Sequence, residues 1–190
     1  MKLRKSAIGI CMLAAAAVMG ACAAKDPGTP PEVLLDGVPV VVGETRPMDL
    51  SDQGFETNDL GAFITKLPDK SWTSSIFLEK DDISYASITL VNDTREEQAV
   101  FSCVIEELGF YALDDTNAGL NISINGVNPI GMTEEELKAA YPELELDDDT
   151  GDYRFHYLKN GDYSVRFEYG LGVLTDIDVM HSFSKSYQSK

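Results

Sequence analysis

Residues 153 to 169 constrain the fold more than any other stretch. Tyr153, Phe155 and Tyr157 alternate with Arg154, His156 and Leu158. After Lys159-Asn160-Gly161, Tyr163, Val165, Phe167 and Tyr169 alternate with Ser164, Arg166 and Glu168. Two alternating runs joined by a glycine-containing turn are the pattern of an antiparallel hairpin, buried on one face. The register follows if one face must be apolar. A two-residue Asn160-Gly161 turn would set Tyr157 opposite Ser164 and Phe155 opposite Arg166, mixing the faces. A three-residue loop, Lys159-Asn160-Gly161, with Gly161 left-handed, pairs Tyr157 with Tyr163 and Phe155 with Val165. This predicts a core face of Tyr153, Phe155, Tyr157, Tyr163, Val165 and Phe167, with His156 on the polar face. A third strand is expected over 173 to 180.

The helix that should cover this hairpin is signalled just before it. Thr133-Glu134-Glu135-Glu136 has the form of a capping box, and acids in the first turn suit the helix dipole. Met132 and Leu137 fit a hydrophobic staple, Leu137, Ala140 and Tyr141 make the apolar stripe, and Pro142 stops the helix. The expected span is 134 to 141. Upstream, 33–35 and 38–42 read as a short β unit around Asp36-Gly37, and Thr45-Arg46-Pro47 opens a brief helix ending at Gly54. Strands are expected at 75–79 and 83–91 around Lys80-Asp81-Asp82, at 98–105 and at 120–124. Cys103 falls in phase with Phe101 and Ile105 and is expected to be a buried, inert thiol.

Asp36-Gly37-Val38 is echoed by Asn125-Gly126-Val127, and Gly43-Glu44-Thr45 by Gly131-Met132-Thr133. The echo is consistent with two similar αβ repeats sharing a core; chance agreement of common residues is the alternative. The expected fold class is α+β, an antiparallel sheet with few short helices. Gly131, Thr133, Glu136 and Leu137, followed by the hairpin, resemble the helix-then-strands modules of SmpA/OmlA-type envelope lipoproteins and of β-lactamase inhibitor proteins. The resemblance covers about residues 125 to 180. It implies a binding or scaffolding module and carries over no catalytic residue.

The N-terminus bears on location. A basic start, Met1-Lys2-Leu3-Arg4-Lys5, leads into the apolar run from Ala7 to Val18 and then Met19-Gly20-Ala21-Cys22. That is the layout of a secretory leader. Its end resembles the lipobox of bacterial lipoproteins, with Met19 where the family usually has Leu, Val or Ile. The resemblance implies lipidation of Cys22, cleavage before it, and a membrane-anchored protein on the extracytoplasmic face. A plain signal peptide and a retained membrane anchor are the alternatives. The expected segments are a leader at 1–21, a flexible tether at 22–31, an N-terminal β-rich half at 32–124, a helix plus three-stranded sheet at 125–181, and a polar tail at 182–190.

The leader takes three of the 15 basic residues and none of the 32 acidic ones, so the remainder carries 12 against 32, a net charge of −20. Such a surface repels nucleic acid, which is not expected as a partner. Cys11 leaves with the leader and Cys22 is taken by lipid, so Cys103 has no disulfide partner. His156 and His181 lack Cys, His or carboxylate neighbours at metal-ligand spacing and are expected at the surface. The acidic run Asp147 to Asp152 fails the calcium-loop pattern: its fifth, sixth and twelfth positions hold Gly151, Asp152 and Leu158. No cofactor motif and no catalytic motif is present. Two function classes stand: a non-enzymatic module binding an envelope or extracellular protein or ligand, and a small extracytoplasmic hydrolase using carboxylates. Buried carboxylates of raised pKa in a cleft would favour the second, and a broad apolar sheet face the first.

Overall fold

The computed structural model describes residues 26–59, 65–112, 120–182 and 188–189. In chain order its elements are β1 (Val33–Leu35), β2 (Val38–Val40), α1 (Pro47–Leu50), β3 (Glu56–Asp59), β4 (Lys66–Leu67), β5 (Ser71–Lys80), β6 (Ile83–Val91), β7 (Gln98–Ala99) and β8 (Val104–Tyr111). There follow β9 (Ile122–Ile124), α2 (Glu134–Ala140), β10 (Glu145–Asp149), β11 (Tyr153–Asn160), β12 (Tyr163–Gly170), β13 (Val173–His181) and β14 (Gln188–Ser189). The expected antiparallel sheet with few short helices is observed. One large sheet runs β10-β11-β12-β13-β8-β6-β5, all antiparallel, with β3 and β14 on β5. A small sheet, β2-β1-β9, joins the start of the chain to its middle.

The core lies between one face of the large sheet and a cover made of the small sheet and both helices. Ile88, Leu90, Leu108, Phe110, Phe167 and Ile177 meet Val33, Leu35, Ile124, Leu50 and Leu137 in a single buried cluster. The capping box of α2 forms as expected. Glu136 N donates to Thr133 Oγ1 (3.3 Å) and Thr133 N donates to Glu136 Oε2 (2.9 Å). Tyr141, just past the helix, donates its hydroxyl to Ile124 O (2.8 Å) and packs its ring 5.5 Å from that of Phe167. Thus α2 ties the small sheet to the large one.

Three expectations are corrected. The hairpin turns at Gly161-Asp162, one residue later than the sequence suggests, so Leu158 pairs with Val165 and His156 with Phe167. Gly161 does have the left-handed φ of 66°. The faces of β12 are as expected, with Val165, Phe167 and Tyr169 buried, but those of β11 are reversed. His156 and Leu158 point into the core; Phe155 and Tyr157 are half-buried on the other face, and Tyr153 is exposed. Glu134 of α2 makes the reversal possible, because it gives the inward Arg154 and His156 an anionic partner. The second correction is at Cys103. The strand expected over 98–105 is broken by a 3-10 turn at Val100–Ser102, which leaves Phe101 53% exposed while Cys103 stays buried.

The third concerns the segment read as a flexible tether. Asp162 N donates to Pro27 O (2.8 Å), and Glu32 N donates to Asn125 Oδ1 (2.9 Å). A Cβ on Gly28 would lie 2.2 Å from Asn160 O, and one on Gly161 2.3 Å from Pro27 O. Residues 27 to 31 therefore form a strap seated on the hairpin tip, where two glycines let two backbones approach.

Candidate binding face

The face of the large sheet opposite the core is laid out by register. Phe77, Ser87, Gly109, Asp178, Arg166 and Tyr157 stand side by side on β5, β6, β8, β13, β12 and β11. Directly paired residues project to the same side of a sheet, so these six form one row across it. A parallel row holds Tyr111, Asp176, Glu168 and Phe155. The side chains shrink to Ser87 and Gly109 in mid-row and grow large at both ends. A trough of about 650 Å³ results, with Trp72, Phe77 and Tyr111 among its walls. Gly109 is its floor: a Cβ there would sit 2.5 Å from Ser87 Oγ and 3.2 Å from Asp178 Oδ1.

Charge on this face is unbalanced. Arg166 donates to Asp178 Oδ2 through Nε (2.8 Å) and Nη2, and its guanidinium lies 5.8 Å from the Phe155 ring centroid. Its Nη2 is also 4.0 Å from Glu168 Oε2. Glu107 and Asp176 line the same trough. Burial pushes the Glu107 carboxyl above the usual range, and the neighbouring Asp178 adds to the push. Burial raises Asp178 and Glu168 as well, each with a further push from Asp176; Arg166 opposes both shifts. Arg166 thus meets Asp178 and Glu168, while Glu107 and Asp176 form no ion pair among the described residues.

A second cleft, of about 420 Å³, opens beside the hairpin tip and shares Glu107 and Tyr157 with the open face. On its wall His181 Nδ1 lies 2.6 Å from Glu106 Oε2, and the Tyr163 ring stacks on the imidazole at 4.7 Å. Burial raises the Glu106 carboxyl, and His181 opposes the rise.

The sequence-predicted residues fare differently. Cys22 and the leader lie outside the described residues; among those described, no helix is long and apolar enough to cross a membrane. Neither histidine is a free surface imidazole. His156 is fully buried, with Nε2 donating to Glu134 Oε1 (3.0 Å), Nδ1 unpaired and its ring edge-on to Tyr169. Burial lowers its pKa and Glu134 pulls the other way. It sits on the core side, away from Arg166, so the two do not make one site. The Asp147–Asp152 run is exposed, and no group of three or more His, Cys, Asp or Glu among the described residues could hold a metal ion. Asn92, in an Asn-x-Thr pattern, is buried with its amide bound to Leu67 O, Pro68 O and Glu96 O.

Sequence reading missed the trough. Its one local trace is Glu107-Leu108-Gly109-Phe110-Tyr111, where a charge and a glycine alternate with core residues inside a strand. No protein-family model matches this chain, and no curated protein or solved structure matches it.

Proposed function

We propose that this protein is an extracytoplasmic lipoprotein, held on a cell membrane by lipid on Cys22, that binds an envelope or extracellular protein through its open sheet face. The row from Phe77 to Tyr157 carries the reading: six strands present aromatic ends, a small-residue floor and a fixed ion pair, and no element among those described covers them. Aromatic and arginine side chains around a depression are the anchors on which protein interfaces concentrate their energy. The proposal extends to two tandem helix-plus-sheet units, as in the modules the sequence resembles. In support, Asp36-Gly37 and Asn125-Gly126 both form turns with two positive φ values, and a long strand of each unit, β8 and β13, pair antiparallel.

Two variants test the two parts. Cys22→Ala is expected to leave unprocessed precursor or to release the protein from the membrane fraction. Ser87→Tyr, which fills the trough, is expected to abolish capture of the partner from native membranes while leaving the unfolding midpoint near wild type. Unchanged fractionation refutes the anchor, and unchanged capture refutes the face. A hydrolase is the second reading, favoured by the buried Glu106 carboxyl against His181 in its cleft. Turnover of ester or glycoside substrates that Glu106→Gln abolishes and Ser87→Tyr spares would establish that reading instead.

A further inference from the structure

We infer that the trough over Gly109 receives a lysine or arginine side chain from the protein partner, which thus presents a basic segment to this face. The inference rests on the binding-face reading above and names the chemistry of its occupant. Three observations carry it. First, the charge on the face is incomplete: Arg166 is committed to Asp178, while Glu107 and Asp176, on either side of the floor, form no ion pair among the described residues. Second, Glu107 is already partly desolvated beside Asp178, so its negative charge is held at a cost that an arriving cation would relieve. Third, Phe77 stands in the wall, and an aromatic face next to carboxylates favours cations over neutral or anionic groups. The missing Cβ at Gly109 supplies depth for the side chain.

The occupant is a protein segment rather than a small cation because the row through Gly109 extends over six strands, which suits a chain laid across the sheet. General acidity could mimic the effect, since the body carries a large net negative charge. The test must therefore separate place from charge. Binding of hexaarginine to the body from residue 26 onward is measured by NMR titration in 150 mM salt. It is compared with Glu107→Gln/Asp176→Asn and with a charge-matched control, Asp147→Asn/Asp148→Asn.

The inference expects shifts centred on Gly109 and Ser87, at least a tenfold loss of affinity in the trough pair, little change in the control pair, and no binding of hexaglutamate. Equal losses in the two pairs, or shifts spread over the exposed acidic run, would overturn it, as would no binding at all. If partner capture depends on Ser87 while the trough pair captures as well as wild type, the binding face survives and the cationic occupant does not.

Discussion

His156 is fully buried and held at one ring nitrogen. Glu134 accepts a hydrogen bond from its Nε2–H, Tyr169 meets its ring edge-on, and nothing among the described residues reaches Nδ1. Truncation to alanine opens a core cavity and strips Glu134 of a buried donor, so His156→Ala should cost about 2–4 kcal/mol. Phe155→Ala, on the half-open face, should cost about 1 kcal/mol. Urea unfolding of the two variants checks this order, and the reverse order would return Phe155 to the core. The pH dependence has a definite sign. Burial depresses the imidazole pKa below its ordinary ~6.5, so the unfolded chain binds the proton more readily. The stability contributed by neutral His156 is present above ~6.5 and is lost as pH falls through the folded value. His156→Gln should therefore show a smaller drop in unfolding midpoint between pH 7.5 and 5.5 than wild type. At Cys103, burial pushes the thiol up to about 11, so labelling of native protein lacking Cys22 should be slow at pH 8 and fast in denaturant. Rapid native labelling would contradict that burial.

Elements were legible where their signals are local. The start of α2 was readable because a capping box is written in four consecutive residues, and the end of the helical stretch over 47–53 because Gly54 follows it with φ of 83°. The faces of β11 were not. Tyr153, Phe155 and Tyr157 look like a core stripe on their own, and only Glu134, some twenty residues away, makes an inward Arg154 and His156 acceptable. The break before Cys103 was hidden too, since Val100 and Phe101 have strand-like composition yet form a 3-10 turn. The trough escaped because its members come from five strands, and register between distant strands is a property of the assembled sheet. The turn position depends likewise on a distant contact, the strap. Gly161→Ala should strain the left-handed turn and collide with Pro27 O, costing about 1–2 kcal/mol. Hydrogen exchange at Asp162 N should rise with it, because that amide is bound to the strap. Unchanged exchange would mean that the strap does not hold the tip.

At the scale of the whole molecule, segments far apart in the chain share edges. β1 depends on β9 across the small sheet, and β8 depends on β13 across the large one. A chain spanning 26–112 would leave both β1 and β8 with an unpaired edge and an uncovered core, so it should not fold alone. The full body should unfold in one transition, seen alike by circular dichroism and by Trp72 fluorescence. Two separated transitions would show independent halves. The strap also changes how such a body would ride on a membrane. With lipid on Cys22, the mooring from there to residue 26 could span at most ~17 Å, about half what an unpinned tether to residue 31 would allow. The mooring leaves from the Gly161-Asp162 tip, so β11 and β12 would stand upright from the bilayer. The trough would then look sideways, parallel to the membrane plane, and a partner embedded in or resting on the same membrane would meet it by lateral diffusion rather than by descending from solution.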